Sequence, residues 1–283
     1  MALRTVGQAL SEGRRTLQGV SETPGMDVQL LLSDVLQQSR SWVLAHDDAL
    51  LSPEQAKLYG QQLNRLADGM PLAYVLGWWT FYGRRFAVSS AVLIPRPDTE
   101  CLIERALDVL AQRRNALVVD AGTGSGCIAI TLALEVPSCR VLASDISSEA
   151  LTVAVENARV HGVEGQVAFL RMDGLSALSG PVDLVCANFP YIDRMTLAGL
   201  AVLKHEPRAA LDGGEDGLSV IRPALEQLDR LISPGGYGFF EIEAGLGELA
   251  SRAAAGLLPG WSISVLQDLA GRDRILSVRK GAG

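Results

Sequence analysis

The sequence predicts an α/β protein in which a mostly parallel sheet, covered by helices on both faces, follows a smaller helical region. Three observations carry this. From Asn115 onward, β-prone runs alternate with amphipathic helical runs, the mark of repeated β-α units. The first 70 residues show helical periodicity instead. The junction of the first predicted strand and helix of the alternating region is Asp120-Ala121-Gly122-Thr123-Gly124-Ser125-Gly126, a glycine-rich turn that lets the backbone bend tightly and approach a ligand.

At 283 residues, 48% of them hydrophobic, the chain can bury one large core or two smaller ones. No run has the length of unbroken apolar residues that a bilayer-crossing helix needs, and Met1–Leu10 lacks a secretory pattern, so a cytoplasmic protein without a membrane partner is expected. Cys101, Cys127, Cys139 and Cys186 form no C-x-x-C pair and sit in apolar stretches, and the three histidines are scattered. This pattern predicts reduced, buried thiols and no metal site. The net charge of −7 argues against tracking along bare nucleic acid; residues 1–85 are balanced, and 17 basic against 24 acidic side chains follow.

The elements follow in order. Asp27 to Leu36 carries apolar residues at helical spacing, and Ser52-Pro53-Glu54-Gln55 reads as a capping box with proline at the first helical position. That helix should stop near Gly69-Met70-Pro71. Trp78 to Tyr82 and Phe86 to Val88 flank Gly83-Arg84-Arg85 and predict a β-hairpin. Pro95 and Pro97 hold the chain extended around Arg96, after which Asp98 is expected to cap a helix from Thr99 to about Leu110. Strands are predicted at 116–120, 140–145, 167–171, 182–187, 236–242, 261–266 and 274–279. Helices are predicted at 126–135, 148–161, about 217–232 and 246–256.

The glycine turn admits two cofactor classes. Gly124-x-Gly126-x-x-Ala129, with Asp145 21 residues beyond Gly124, satisfies the dinucleotide fingerprint. Asp120 weighs against it, because a carboxylate at that strand end repels a pyrophosphate and attracts the ammonium and sulfonium of S-adenosylmethionine. The run also lacks the lysine of a phosphate-binding loop. Asp145 is placed to take ribose hydroxyls, and Asp173-Gly174 to meet an adenine edge. Each aspartate alone reads equally as a helix cap or loop residue. Three acidic strand ends on one sheet edge read as a ligand site, since open α/β sheets bind at that edge.

Val182 to Ala187 predicts a buried strand, and Asn188-Phe189-Pro190-Tyr191 follows directly. Pro190 restricts Phe189 to extended geometry, so the carbonyl of residue 189 points in a set direction. That carbonyl and the Asn188 side-chain oxygen can accept both hydrogens of one planar NH₂ group, while Tyr191 can stack on its plane. Such nitrogens are weak nucleophiles, so positioning and preorganised electrostatics would carry the acceleration. The bland alternative is an Asn-x-Pro turn that closes a strand.

With these residues in place, the chain resembles the release-factor glutamine methyltransferases over nearly its whole length. The resemblance rests on Phe81-x-Gly83-x-x-Phe86-x-Val88, Leu93-Ile94-Pro95-Arg96-Pro97-Asp98-Thr99-Glu100, Gly122 to Gly126, Glu206-Pro207-x-x-Ala210-Leu211, Gly213-Gly214-x-Asp216-Gly217-Leu218 and Asp268-Leu269-Ala270-Gly271-x-Asp273-Arg274. It implies a Rossmann-like seven-stranded methyltransferase domain at 98–283, a helical substrate-recognition domain at 1–71 and a hairpin linker at 72–97. It also implies S-adenosylmethionine as cofactor, held by Gly122, Thr123, Gly124, Ser125, Gly126, Asp145, Asp173, Gly174 and Asn188, to which the charge argument adds Asp120. The catalytic group is then Asn188, Phe189, Pro190 and Tyr191, and the partners are class 1 peptide chain release factors. The resemblance gives no nucleic-acid partner, and a monomer is expected. Two positions depart from the family pattern: Phe189 replaces the first proline of Asn-Pro-Pro-Tyr, and Glu243 adds a charge in Glu241-Ile242-Glu243-Ala244-Gly245. Asn188 to Tyr191 alone also suits an adenine amino-group methyltransferase on RNA or DNA, and the departures suit a binding protein with weakened catalysis.

Overall fold

The computed structural model describes residues 4–199 and 204–282. It consists of two compact units, Met1–Trp78 and Trp79–Gly283.

The first unit is helical: α1 (Val6–Thr16), α2 (Pro24–Leu36), α3 (Arg40–Ala45), α4 (Pro53–Ala67) and α5 (Leu72–Leu76). Sequence dictates these ends locally. The Ser52 hydroxyl accepts from Gln55 N at 3.2 Å while the Gln55 side chain accepts from Ser52 N at 2.9 Å, which satisfies amides that a helix start leaves open. The apolar stripe of α2 turns inward and buries Val28, Leu31, Leu32 and Val35 with Leu63 and Tyr59 of α4. The Tyr59 hydroxyl donates to the buried carbonyl of Ala9 at 2.8 Å.

The second unit opens on the hairpin, completed by β1 (Trp78–Phe81) and β2 (Arg84–Ala87). Its turn is Tyr82-Gly83, both at positive φ, one residue earlier than Gly83-Arg84-Arg85. Helix α6 (Thr99–Leu110) comes next, without the cap expected from Asp98. Asp98 already has helical backbone angles, so its carboxylate points away from the helix start and pairs with Arg274 at 3.0 Å and Arg272 at 3.7 Å.

Seven strands follow, with helices between them: β3 (Leu117–Ala121), α7 (Cys127–Glu135), β4 (Arg140–Asp145), α8 (Ser148–Val160), β5 (Val167–Arg171) and β6 (Val182–Ala187). Beyond these come α9 (Arg194–Ala198), α10 (Ile221–Leu231), β7 (Ile232–Glu241), α11 (Gly247–Leu257), β8 (Ser262–Gln267) and β9 (Asp273–Arg279). The sheet order is β5-β4-β3-β6-β7-β9-β8, with β9 antiparallel to both neighbours. The order reverses between β3 and β6, which creates the crevice where open α/β sheets bind ligands. One core lies under α6 and α7, around Ile103, Leu132 and Leu184; the other lies under α10 and α11, around Leu225, Leu228 and Phe240. Cys127, Cys139 and Cys186 are buried, and Cys101 is partly exposed. Among the described residues, no helix is long and apolar enough to cross a membrane.

Candidate active site

Register brings the functional segments together. Ala121 at the end of β3 pairs with Ser144 on one side and Ala187 on the other. The glycine turn therefore leaves the sheet between Asp145 and Asn188. On the far side of β6, Ala187 pairs with Phe240, which sets Glu241 level with Asn188.

The glycine turn is held from two directions. Thr123 N donates to the carbonyl of Ser144 at 2.8 Å, and Gly124 N donates to Asp145 Oδ2 at 2.9 Å. From beneath, Asp120 Oδ2 accepts from the Thr123 hydroxyl at 2.5 Å and from Ala129 N at 3.0 Å. Asp120 is fully buried, and burial pushes its carboxyl up to about 7, against the Thr123 and Ala129 hydrogen bonds that favour the charged form. Two conformational demands are met by glycine. Gly122, at φ +72°, lies under the Phe189 ring, which a Cβ would meet at 3.1 Å. Gly126, at φ +82°, ends the turn as the N-cap residue of α7.

A cavity of about 370 Å³ opens at this edge, within the range of roughly 300–1,000 Å³ common for small-molecule sites. Gly122, Thr123, Gly124, Ser125, Asp145, Asp173, Gly174, Asn188, Phe189 and Pro190 all line it. Two of the residues predicted to hold the cofactor do not. Gly126 is set back at the helix cap. Asp120, paired within the sheet with Ala143 and Cys186, stands beneath the loop and supports it through Oδ2. A second cavity of about 180 Å³ is lined by Tyr191 with Ile192, Leu93, Arg96, Ala210, Leu211 and Asn188. Asn188 and Arg96 belong to both walls.

The Asn188 amide is oriented. Its Nδ2 donates to Thr99 Oγ1 at 3.0 Å, which leaves Oδ1 as the group available to a ligand. The Tyr191 hydroxyl donates to Glu241 Oε1 at 3.1 Å, and burial next to that carboxylate raises the phenol well above its ordinary range. Phe189 is 5% exposed; its ring lies among the apolar residues beside Phe240, at a centroid distance of 6.4 Å. Glu243 is exposed, so its added charge stays in water. Thr99, Arg96 and Glu241 were absent from the predicted site. Thr99 and Arg96 lie in a motif that carries the resemblance, where they read as a helix start and a linker; Glu241 lies in the segment that departs from the family pattern at Glu243.

The cavity fits S-adenosylmethionine on its own features: a wall of glycine-rich turn from Gly122 to Ser125, the Asp145 and Asp173 carboxylates, and the apolar Ile146 and Met172 side chains for a flat base. Comparison with known proteins agrees. Residues 8–77 match the PrmC N-terminal domain, and residues 99–215 match the methyltransferase small domain. The chain is 41% identical to the release factor glutamine methyltransferase of Moorella thermoacetica over 273 residues, 95% of this chain and 96% of that protein. It is 37% identical to the enzyme of the same name from Nitratidesulfovibrio vulgaris, covering 98% of this chain and 95% of that one. Among solved structures, a methyltransferase from Pyrococcus furiosus shares the fold at a TM-score of 0.52 and 16% identity, covering 78% of this chain and 99% of the other. The 16S rRNA N2 G1207 methyltransferase of Thermus thermophilus, solved with AdoMet and guanosine, does so at the same score and identity, covering 72% of this chain and 49% of that one. Similarity of this extent settles the lineage: the chain belongs to the release factor glutamine methyltransferase family.

Proposed function

We propose that the protein transfers a methyl group from S-adenosylmethionine to the side-chain amide nitrogen of the glutamine in the Gly-Gly-Gln motif of class 1 peptide chain release factors. One observation carries the site assignment: Asn188 faces both cavities with its nitrogen committed to Thr99 and its oxygen open. When bound, S-adenosylmethionine supplies an electrophilic methyl group on a sulfonium. In this reading Gly122 to Ser125 cradle it, Asp145 takes its ribose hydroxyls, and the Asp173-Gly174 turn meets the base. Asp120 holds the loop and adds negative potential beneath a cationic ligand.

Asn188 Oδ1 and the Phe189 carbonyl accept the two amide hydrogens of the target glutamine, which favours the charge distribution needed for attack and fixes the nitrogen in line. Tyr191, tethered through its hydroxyl to Glu241, offers its ring to the amide plane. No strong base is required, because an alkylated amide nitrogen sheds its proton readily. The helical segment 1–71 serves as the recognition domain, joined through 72–97 to the methyltransferase domain at 98–283. A monomer suffices, since one chain lines both cavities. A translation protein as substrate implies action in the cytoplasm, without direct contact to nucleic acid. The adenine-directed alternative rested on Asn188 to Tyr191 alone and has no support from the full-length relatives.

Asn188→Ala tests the assignment. Titration calorimetry should give a cofactor Kd within about threefold of the parent, while turnover falls by about 100-fold or more, the scale of losing one preorganised polar group. Turnover near the parent value would remove Asn188 from the chemistry.

A further inference from the structure

One motif that carries the resemblance lines neither cavity. Gly213-Gly214-x-Asp216-Gly217-Leu218 lies against residues 191–194, and Gly213, Gly214 and Gly217 are buried. Past Ala187 the chain leaves the sheet, and this segment takes hold of it again. Ile192 N donates to the carbonyl of Leu211 at 3.2 Å, Gly213 N to that of Ile192 at 2.8 Å, and Arg194 N to that of Gly214 at 2.9 Å. The pairing is a parallel bridge between Ile192 and Asp212. It sits so close to Tyr191 that only glycine leaves room. A Cβ at Gly213 would lie 2.6 Å from the Tyr191 carbonyl carbon and 2.7 Å from its Cα. One at Gly217 would lie 2.5 Å from the Tyr191 carbonyl oxygen.

We propose that Gly213 and Gly217 are positioning residues for methyl transfer: the backbone they carry clasps Tyr191 and sets where its ring meets the acceptor. This rests on the reading that the Tyr191 ring stacks on the target amide. Asn188 to Tyr191 is then fixed at both ends, by β6 before it and by the clasp after it. Pro190 has no N–H to donate, so the segment relies on those ends. Gly213 does not have a left-handed φ, and glycine is needed there for space alone. Gly217, at φ +77°, is needed for space and for conformation. A methyl group at 213 has to displace the Tyr191 backbone, because both sides of the contact are main chain and neither can swing away. The ring follows its Cα, and a displacement of about 1 Å at a reacting group costs on the order of 100-fold in rate.

Side chains lock the clasp from outside the site. Asp212 Oδ1 accepts from Gly214 N at 3.0 Å, and Arg194 and Arg208 each pair with the Asp212 carboxylate at 3.3 Å. Asp216 Oδ1 accepts from Leu218 N at 3.1 Å and from Arg222 at 3.0 Å. Just upstream, Leu211 lines the smaller cavity beside Tyr191. The clasp therefore bounds the acceptor's side, while the turn from Gly122 to Ser125 that would cradle the cofactor stands on another strand end.

The test uses the full chain with an intact release factor, and measures kcat and KM per cofactor-binding site counted by calorimetry. Gly213→Ala should lower kcat by about tenfold or more, with KM and cofactor Kd within about threefold, because a displaced group costs rate before it costs binding. Gly236→Ala controls for crowding as such. A Cβ there would lie 2.9 Å from the carbonyl oxygens of Asp183 and Ser233, at the opposite end of β6. It should lower Tm and leave kcat at the parental value. A double-mutant cycle then identifies Tyr191 as the route. Tyr191→Ala should be slow, and adding Gly213→Ala to it should cost less than about threefold more. The proposal is overturned if Gly213→Ala keeps the parental kcat, if Gly236→Ala is equally slow, or if the losses at 213 and 191 multiply in full. Should Gly213→Ala fail to fold, Asp212→Ala, which removes only the outer lock, takes its place in the cycle. It should lower kcat by about fivefold or more, and not further once the Tyr191 ring is gone. Tyr191→Ala also separates the two levels: if it is slow while Gly213→Ala is normal, only the clasp falls; if Tyr191→Ala is itself normal, the reading of its ring falls with it.

Discussion

Phe189 shows how a single departure from a family pattern can leave chemistry intact. The acceptor at this position is a backbone carbonyl, which any residue supplies, and Pro190 still restrains it. The ring replaces the packing of a proline by filling the space between Gly122 and Phe240. Phe189→Pro should therefore keep turnover within about threefold while lowering stability by about 2–4 kcal/mol, the cost of emptying a buried aromatic site. Thermal melts and initial rates on one preparation would check this, and a collapse in rate without a drop in Tm would make the ring part of the reaction site. Asp120 gives a second prediction. Burial raises its folded pKa from the ordinary aspartate value of 3.8 to about 7, so the folded state holds the proton more tightly and stability is lost as pH rises between those values. Asp120→Asn removes that titration. The stability of the variant relative to the parent should improve by on the order of a few kcal/mol between pH 4 and pH 8. A pH-independent difference in denaturant melts would contradict the assigned shift.

Among the elements, the glycine turn depends on neighbours that hold it without entering the cavity. The side chain of buried Asn157 on α8 donates to the carbonyls of Ser125 at 2.8 Å and Ala87 at 3.0 Å, and accepts from Ala87 N at 2.7 Å. It ties the turn to the end of the hairpin. Asn157→Ala leaves these backbone groups unpaired and should cost about 2–3 kcal/mol, with cofactor binding weakened in step; unchanged stability would mean that water replaces the amide. Asp145→Ala should cost cofactor affinity about tenfold or more by calorimetry, from the loss of charged hydrogen bonds and of the Gly124 anchor. Elements with strong local signals were legible in the sequence. The Ser52 capping box, the strands from 116 onward and the glycine turn form close to where they were predicted. The failures have tertiary causes. Asp98 looks like a cap, but Arg274 on a strand far along the chain takes its carboxylate. Helices α5 and α9, five residues each, are too short to show a period.

At the level of the whole molecule, the alternation of strands and helices announced the fold class, while the strand order did not follow from it. Nothing local in Asp273–Arg279 reveals that β9 inserts between β7 and β8 against the direction of its neighbours. The residues that ride on one strand end, Asn188 to Tyr191, were legible as neighbours on the cavity walls because they are contiguous in the chain. Thr99 and Glu241 were not legible as part of the site, because they join Asn188 only after α6, β6 and β7 have packed. The most direct measurement is transfer of labelled methyl from S-adenosylmethionine to an intact release factor, beside a copy whose Gly-Gly-Gln glutamine is changed to alanine. Label on the first and none on the second is the predicted result. Equal label on both, or none on either with cofactor binding demonstrated, would contradict the assignment of the glutamine amide as the acceptor.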